Sequence, residues 1–276
     1  MRHFKLLSWN ILGPDTFDAK QFKDKYPEVL NWDLRFKLLT SKIISFNTDI
    51  LCLQEIAAIR KPAFIKYLTK KGFQEASYET KGKNGGVLLL YKTSKFILIN
   101  NNHTHLPIKP SSQQPGAAAW ATLQCKQTHQ RFIVVSIHMQ PKVQCEQLSK
   151  LVQQFKDIQT PIIIAGDLNT PYSMVQKNII PYLSSTHMLA RQYDFHMFEN
   201  SSWTRQPPHN TDSTAWKCLD HVIYSNNVEL DITKSFVGSK QHTETIKTTD
   251  LTKLNLIPNN EFPSDHLPIV ISFYLK

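Results

Sequence analysis

The segment from residue 161 to 171, PIIIAGDLNTP, constrains the fold of this chain more than any other stretch. Its apolar, β-branched run predicts a strand that is buried on both faces. At the end of this strand Asp167 and Asn169 emerge together, and Pro171 prevents the strand from continuing. Strand ends are where α/β proteins meet their ligands, but Asp and Asn are also common turn formers. The segment alone therefore favours a ligand site and an Asx turn about equally.

Five other apolar runs end in polar groups of the same kind. Taken singly, each has a structural explanation: Glu55 could cap a helix, and His138 could be a satisfied buried histidine. A folded protein has little structural reason to repeat this design six times, so we predict one site built from strand ends. The side chains concerned are Asn10, Glu55, His138, Asp167 with Asn169, Asp220 with His221, and Asp265 with His266.

Hydrophobic periodicity predicts strands that alternate with helices, which is typical of a layered mixed α/β domain. We expect residues 101–116 and 238–262 to be surface loops, and residues 219–225 to pair with residues 228–237. A helix over residues 32–46 has Asn31 as its N-cap and Asn47 as a left-handed closing residue, and a further helix is predicted over 173–183. Because no linker divides the chain, we expect a single catalytic domain over residues 1–276. The predicted strands are 4–12, 49–53, 73–79, 87–92, 96–100, 117–125, 132–138, 162–167, 219–225, 228–237 and 267–275.

The charge balance narrows the choice of partner. Among 276 residues, 32 Lys and Arg against 22 Asp and Glu give a net charge of +10, which favours nucleic acid or another polyanion. A basic protein without such a partner is the alternative. Four cysteines without a C-x-x-C pair argue against a zinc-finger spacing and a disulfide scaffold. We find no signal peptide and no apolar run near the roughly 20 residues of a membrane span, so we expect a cytoplasmic protein.

The order of these motifs resembles the endonuclease/exonuclease/phosphatase superfamily, whose members include exonuclease III and pancreatic deoxyribonuclease. Within it, residues 30–35, 49–55 and 84–96 are similar to the deadenylase branch, which includes nocturnin. The resemblance implies a four-layer α/β sandwich, in which two mixed β-sheets pack face to face with helices outside. The motifs that carry it are W-N at 9–10, L-Q-E at 53–55, a strand ending in His138, G-D-L-N at 166–169, L-D-H at 219–221 and S-D-H-L-P-I at 264–269.

Carried over by position, the resemblance implies a catalytic Mg²⁺, for which Mn²⁺ could substitute. Glu55 would be the main metal ligand, with Asn10 beside it; hard oxygen ligands suit Mg²⁺. Asp167 would orient or deprotonate the attacking water, and Asn169 would hold a phosphate oxygen.

The same transfer assigns the remaining residues. His266 would contact the phosphoryl group with its ring oriented by Asp220, and Asp265 would complete the metal or base network. His138 occupies a position where deadenylases and the pancreatic enzyme place a histidine near the phosphate or leaving oxygen. Exonuclease III-like repair enzymes usually have tyrosine there, so His138 argues against an abasic-site enzyme.

The sequence departs from the family pattern at two positions. Leu12 stands where the family often has an acidic residue, which weakens the case for a second ligand from the first strand. His221 stands where deadenylases commonly have tyrosine.

The expected function is a Mg²⁺-dependent phosphodiesterase that acts on RNA as a 3′ exoribonuclease of deadenylase type. The alternatives keep the chemistry and change the substrate to 2′,5′-oligoadenylate, a small nucleotide phosphate, DNA or a tyrosyl–DNA adduct. A more remote alternative is a non-catalytic nucleic-acid-binding protein on the same fold, against which the intact set of site residues argues. Trp203, Trp216 or Tyr172 could stack bases, whereas Trp120 is expected in the core.

Overall fold

The computed structural model of the protein describes a set of segments that together contain every predicted site residue. These segments are residues 3–14, 31–80, 85–106, 115–141, 143–155, 160–180, 195–197, 218–238 and 260–276. Their strands are β1 Phe4–Asn10, β2 Ile50–Gln54, β3 Phe73–Thr80, β4 Gly86–Lys92, β5 Phe96–Leu106, β6 Gly116–Cys125, β7 Arg131–His138, β8 Ile162–Asp167, β9 Phe195–Met197, β10 Asp220–Ser225, β11 Val228–Leu230, β12 Phe236–Val237 and β13 Ile269–Leu275. Their helices are α1 Trp32–Ser45, α2 Lys61–Thr69, α3 Gln144–Gln153 and the short α4 Tyr172–Met174.

The strands form two sheets, each of which is mixed. The first sheet has the order β11-β13-β1-β2-β4-β3, with β12 also paired to β13, and the second has the order β5-β6-β7-β8-β10-β9. Each sheet contains one parallel pair, β1 with β2 and β7 with β8, among antiparallel neighbours. The predicted two mixed sheets are therefore confirmed.

Helices cover the outer faces of both sheets. Between the sheets lies an apolar layer that includes the rings of Phe4 and Phe132, whose centroids are 6.0 Å apart. Leu39 of α1 and Phe64 of α2 pack on the outer face of the first sheet. Leu148 of α3 packs on the outer face of the second sheet. Because both faces of each sheet are covered, the strands read as continuous apolar runs, and the four-layer sandwich is confirmed.

Helix α1 has the ends that its sequence predicts. The Asn31 side chain accepts a hydrogen bond from the Leu34 amide at 3.1 Å, which caps the first turn. Asn47, two residues beyond the last helical residue, has φ +48° and closes the helix in the left-handed region.

The loop predicted over residues 101–116 is wrong in its first part, because β5 continues to Leu106. The added residues pair with β6 from Asn101 opposite Ala121 to Leu106 opposite Gly116. β5 is at the edge of the described sheet, where one row of backbone groups and side chains meets solvent and polar residues are tolerated. Polar composition alone therefore does not separate an edge strand from a loop.

The predicted pairing of residues 219–225 with residues 228–237 is also wrong. β10 pairs with β8 in the second sheet, whereas β11 pairs with β13 in the first. The chain thus crosses between the sheets at residues 226 and 227. Asp231 accepts hydrogen bonds from the side chains of Thr233 and Lys234 at 2.6 Å each, and this local turn separates β11 from β12.

The predicted helix over residues 173–183 begins at Tyr172 and passes into a π-helical turn at Val175–Ile179; its last residues lie outside the described segments. In the segments described above, no helix combines the length and apolar character needed to cross a membrane.

Candidate active site

The pairing of the strands brings the predicted site residues to one end of the sandwich. β1 and β2 run parallel, so Asn10 and the residue that follows β2, Glu55, emerge side by side from the first sheet. In the second sheet His138 and Asp167 end neighbouring parallel strands in register, and Asp220 begins the antiparallel strand opposite Asp167.

The side chain of Asn10 joins the two sheets at this end. Its Nδ2 donates to Glu55 Oε1 at 2.9 Å and to Asp167 Oδ2 at 3.1 Å. The second carboxylate oxygen of Glu55 accepts from the Gly13 amide at 2.9 Å, and Asn10 Oδ1 accepts from the Leu12 amide at 3.0 Å. One carboxylate from each sheet therefore converges on a single buried amide.

Several residues of the site have an unusual backbone conformation. Leu12, Glu55 and Asn169 have φ values of +55°, +62° and +49°, in the left-handed region that non-glycine residues rarely adopt. A Cβ atom on Gly85 would lie 3.3 Å from the Cα of Glu55, so the glycine gives Glu55 its space. Each such conformation costs about 1–3 kcal/mol and persists where the surrounding structure determines it.

The segment after β8 forms the Asx turn that its sequence predicts as one alternative, and it leaves the second oxygen of Asp167 directed at Asn10. Asp167 Oδ1 accepts from the Asn169 amide at 2.8 Å, which is an Asx turn, while Oδ2 of the same residue faces Asn10. The side chain of Asn169 donates to the carbonyl of Met139 at 2.9 Å. The turn thus holds Asp167 in one orientation and ties the ends of β7 and β8 together.

His221 supports this turn from the opposite face of β10, because successive side chains on a strand point to opposite sides. Its Nε2–H donates to the carbonyl of Thr170 at 2.7 Å. Burial lowers the pKa of His221 to about 4, so the ring is neutral at physiological pH. The imidazole that stands where the family commonly has tyrosine therefore contacts the turn from the face of β10 opposite Asp220.

Asp220 and His266 form a buried pair. The distance from His266 Nδ1 to Asp220 Oδ2 is 2.7 Å, and the opposite ring nitrogen, Nε2, lies 3.9 Å from Asp167 Oδ2 and from Asp265 Oδ1. Burial by itself lowers the pKa of His266, but the negative charges of Asp220, Asp265 and Asp167 raise it to about 9. The ring is thus held as an imidazolium whose free N–H points toward the Asp167 carboxylate.

Asp167 lies between two imidazoles. His138 Nε2 is 3.5 Å from Asp167 Oδ2, on the side opposite the Asp220–His266 pair. Burial and the charge of Asp220 raise the pKa of Asp167 to about 6, although His266 and the Asn169 amide oppose the rise. A carboxylate whose pKa lies near neutrality has the basicity of an effective general base.

Side-chain hydrogen bonds of Trp9 and Ser264 connect the first strand to the Asp265–His266 segment. The indole N–H of Trp9 donates to the carbonyl of His266 at 2.8 Å. The hydroxyl of Ser264 donates to the carbonyl of Asn10 at 2.7 Å and accepts from the His266 amide at 3.2 Å. The W-N motif near the start of the chain and the S-D-H motif near its end are therefore hydrogen-bonded to each other.

Arg35 belongs to the site but is absent from the site residues predicted above. It is only 1% exposed, and its Nη1 donates to the carbonyl of Leu12 at 2.6 Å. Burial lowers the pKa of Arg35 to about 10, and the charges of Asp265 and Glu55 oppose this, so the side chain remains cationic. Its signal was an arginine one turn before Leu39 on the buried stripe of α1.

The donor chemistry of the site fits a divalent cation. Asp167, Asp220 and His266 each place a possible ligand atom within 4.8 Å of the others. His266, however, is engaged by Asp220 and held protonated, which makes the ring a poor ligand. The convergence of Glu55 and Asp167 supplies the hard carboxylate oxygens that Mg²⁺ and Mn²⁺ prefer.

The aromatic residues considered for base stacking have different positions. Trp120 is buried against Phe155, with ring centroids 5.5 Å apart, so its predicted place in the core is confirmed. Tyr172 is half-buried at the start of α4, directly after the turn of the site. Trp203 and Trp216 lie outside the described segments.

Comparison with known proteins agrees with this geometry. Residues 7–266 match the Endonuclease/Exonuclease/phosphatase family. Nocturnin of Rattus norvegicus is 26% identical over 98% of this chain, which spans 65% of that protein. The CCR4-Not complex 3'-5'-exoribonuclease subunit Ccr4 of Candida albicans is 23% identical over 99% of this chain, which spans 41% of that protein. The chain therefore spans less than two thirds of the length of these relatives.

A solved structure extends the likeness to the fold. ANGEL2, described as a 2',3'-cyclic phosphatase in complex with adenosine-2',3'-vanadate, has a TM-score of 0.76 and 19% identity. The superposition covers 99% of this chain and 96% of ANGEL2. The strand order, the assembled motifs and the match over residues 7–266 agree, and the predicted branch is confirmed by the relatives. The chain belongs to the endonuclease/exonuclease/phosphatase family, in the branch that includes nocturnin and the Ccr4 exoribonucleases.

Proposed function

We propose that this chain is a Mg²⁺-dependent phosphodiesterase that hydrolyses RNA from the 3′ end, as a deadenylase does. The observation that carries the proposal is the convergence of Glu55 and Asp167 on Asn10, next to the Asp220–His266 pair. Membership of the family supports a hydrolase of the nuclease or phosphodiesterase type. The name of the Ccr4 relative supports the 3′ exoribonuclease activity.

The metal is assigned to Glu55 and Asn10, with Asp167 beside them. Rotation of the Asn10 amide by half a turn would bring its oxygen toward the two carboxylates, at the cost of the hydrogen bond that this oxygen accepts from the Leu12 amide. A bound Mg²⁺ would polarise the phosphoryl oxygen and stabilise the leaving alkoxide.

Asp167 is the proposed base for the attacking water. Its Asx turn with Asn169 fixes one carboxylate oxygen, and the other oxygen faces the site. A positioned general base contributes about 10²–10⁴-fold to the rate. The raised pKa of Asp167 lets it accept a proton from water more readily than an ordinary carboxylate does.

His266 is the proposed donor to the phosphoryl group. Asp220 holds Nδ1–H and thereby directs the Nε2–H toward Asp167 and the space that a phosphate would enter. A fixed cationic donor stabilises the negative charge that develops on the phosphoryl oxygens. Asp265 supports this role by favouring the protonated ring.

His138 and Asn169 are the proposed substrate contacts. His138 lies within 3.5 Å of Asp167, where it can reach a leaving oxygen on the side opposite His266. Asn169 would offer its amide to a phosphate oxygen at the cost of its bond to Met139.

We further propose that residues 1–276 act as one catalytic domain. The site needs Asn10 from the first strand and His266 from near the end of the chain, and Ser264 binds the backbone of Asn10 directly. A division of the chain between these residues would divide the site.

RNA is the proposed substrate because the net charge of +10 favours a polynucleotide. A 5′-labelled RNA of mixed sequence with a 3′ oligo(A) tail tests this directly, with Mg²⁺ and with EDTA. We expect a Mg²⁺-dependent ladder that shortens the A tract, and no ladder from an Asp167→Asn variant.

The same assay separates the alternative substrates. Parallel reactions contain 2′,5′-oligoadenylate, a 2′,3′-cyclic adenosine phosphate, a small nucleotide phosphate, DNA and a tyrosyl–DNA adduct. Intact RNA together with Mg²⁺-dependent cleavage of one of these would retain the site and replace the substrate. Binding of RNA without any cleavage would indicate the non-catalytic alternative.

A further inference from the structure

Outside the catalytic residues, Glu79 of β3 faces two histidines of β5. Glu79 Oε2 lies 3.8 Å from His103 Nε2, and Glu79 Oε1 lies 3.5 Å from His105 Nε2. The carboxylate side chain is only 8% exposed, whereas the two imidazoles are 55% and 53% exposed. A nearly buried negative charge thus lies beneath two solvent-accessible rings.

The cluster is on the same rim of the sandwich as the catalytic site. Glu79 lies two strands away from the end of β2 in the first sheet, and His105 lies two strands away from His138 in the second. Since neighbouring strands are about 4.8 Å apart, each separation is about 10 Å. The cluster is therefore distinct from the convergence of Glu55 and Asp167.

Cross-sheet hydrogen bonds hold the two strands at this place. The hydroxyl of Ser77 donates to the carbonyl of Asn102 at 2.7 Å, and the side-chain Nδ2 of Asn101 donates to the carbonyl of Ala76. One oxygen of Glu79 also accepts from the amide of Thr80 at 2.8 Å. These bonds fix the backbone of β3 and β5 next to the cluster, so the three side chains are brought together by the fold.

Each of the two nitrogen-to-oxygen distances suits a pair of ligands on one metal ion better than a hydrogen bond, but the three ligand atoms do not all lie within 4.8 Å of one another, so the rings would have to turn to share one ion. An N–H···O bond is about 2.7–3.2 Å long, and both nitrogen-to-oxygen distances exceed this. Two ligands that each lie about 2.0–2.1 Å from a tetrahedral Zn²⁺ are about 3.3 Å apart. His103 and His105 are two residues apart on a strand and project from the same face, and their exposed rings have space to rotate toward a common ion.

We propose that Glu79, His103 and His105 bind a divalent transition-metal ion of the Zn²⁺ class. Two neutral imidazoles and a carboxylate form a ligand set that Zn²⁺ accepts, and the carboxylate disfavours an anion at this position. The ion would link β3 of the first sheet to β5 of the second. Its binding would therefore stabilise the folded chain.

Zn²⁺ itself is the probe. The full chain is stripped of metal and held in millimolar Mg²⁺, and Zn²⁺ binding is followed by equilibrium dialysis and by the melting temperature. We expect the wild type to bind one more equivalent of Zn²⁺ than a His103→Ala/His105→Ala variant, and only the wild type to show the matching rise in melting temperature. Each single substitution should weaken this equivalent about tenfold or more.

Two controls keep the result specific. His3 is also an exposed imidazole near a carboxylate, 3.7 Å from Asp231 Oδ2, and His3→Ala should bind Zn²⁺ like the wild type. Glu55→Gln should lose Zn²⁺ that enters the catalytic site and keep the equivalent proposed here. Equal stoichiometry and affinity in the wild type and the His103→Ala/His105→Ala variant would overturn the proposal, as would an equal loss in His3→Ala. Glu79→Gln, which leaves both exposed histidines in place, gives an independent test of the third ligand.

Discussion

At the scale of single residues, the site depends on how burial and neighbouring charges set proton affinities. Asp167 and His266 are both almost fully buried. Burial raises the pKa of the Asp167 carboxyl group, whereas the neighbouring carboxylates raise the pKa of the His266 imidazole against the effect of burial. Their environments therefore favour a carboxylate of raised basicity beside an imidazolium that keeps its proton. These are the two properties that a water-activating residue and a phosphate-contacting residue need.

The first prediction concerns Asp220→Asn. Loss of the negative charge should lower the pKa of His266 and reduce turnover about 10–100-fold, as is typical for a residue that orients another. The pH–rate profile and the NMR titration of His266 measure the two effects. Asp231→Asn changes a half-buried aspartate that also lies near a histidine but far from the site, and it should leave the profile unchanged. A wild-type rate and profile in Asp220→Asn would show that the pair has no catalytic role.

The second prediction concerns the pH dependence of stability through His221. Its pKa in the folded chain is about 4, below the ordinary 6.5, because burial disfavours the charged ring. The stability that the neutral ring provides is complete above pH 6.5 and is lost as the pH falls toward 4. At about 1.36 kcal/mol per pKa unit, the loss is on the order of 3 kcal/mol.

The variant His221→Gln tests this linkage. Glutamine can donate to Thr170 but does not titrate, so the free energy of unfolding should fall less steeply between pH 6.5 and pH 4 than in the wild type. Urea unfolding at several pH values gives both slopes. His129→Gln removes an exposed imidazole and should retain the wild-type slope. The same slope in His221→Gln as in the wild type would assign the acid sensitivity to other groups.

At the scale of secondary-structure elements, the parallel pairing of β7 and β8 determines where Asp167 lies. The two strands approach closely at Gly166, where an added Cβ would be 1.9 Å from the carbonyl oxygen of Ile137. Only glycine avoids this contact. The glycine before Asp167 is therefore a requirement of strand packing.

The third prediction is that Gly166→Ala moves β8 and reduces turnover far more than the accompanying loss of folded protein would. The residue must shift against the backbone, which displaces the adjacent Asp167. Gly72→Ala is the control, because Gly72 also has a positive φ but has no atom within 4 Å of an added Cβ. It should cost only about 1–2 kcal/mol of strain and leave turnover intact. Turnover and urea unfolding of both variants provide the comparison, and unchanged turnover in Gly166→Ala would contradict the expected displacement.

The elements also show how far the sequence determines the structure. The buried strand before Asp167, the cap at Asn31 and the left-handed Asn47 followed from local signals, because period and capping chemistry act within a few residues. The extension of β5 to Leu106 and the separation of β10 from β11 did not follow. Strand partners are set by packing between distant segments, and no local pattern encodes them.

The same distinction applies to the site. The polar residues at strand ends were visible as a set, since each follows an apolar run. The place of Arg35 beneath Glu55 and Asp265 was not, because an arginine in an amphipathic helix usually faces solvent. Its burial depends on the packing of α1 over the end of β1, which only the assembled layers show.

At the scale of the whole molecule, the site exists only where the two sheets are packed together. Asn10 and Glu55 come from the first sheet, and His138, Asp167 and Asp220 come from the second. The apolar layer between the sheets therefore fixes the distance between the carboxylates that converge on Asn10. A packing defect in this layer should therefore lower the free energy of unfolding more than it changes the distance between these carboxylates.

The fourth prediction is that Phe132→Ala lowers the free energy of unfolding by about 3–5 kcal/mol. Phe132 is fully buried between the sheets and contacts the rings of Phe4, Phe96 and Phe273. Ile97→Ala, at a side chain that is 43% exposed, should cost much less. Urea unfolding measures both, and equal losses would show that the layer between the sheets does not dominate stability.

The proposed metal site is tested by the turnover of Glu55→Ala over a range of Mg²⁺ concentrations. The substrate is the 3′ oligo(A) RNA or whichever phosphodiester the wild type cleaves. Glu229→Ala, at a glutamate whose side chain is 46% exposed, serves as the control, and circular dichroism reports the folding of each variant. We predict that folded Glu55→Ala has no detectable turnover at any Mg²⁺ concentration, whereas Glu229→Ala matches the wild type. Turnover like that of the wild type in Glu55→Ala at saturating Mg²⁺ would contradict the assignment of the metal to this carboxylate and, with it, the proposed catalytic site.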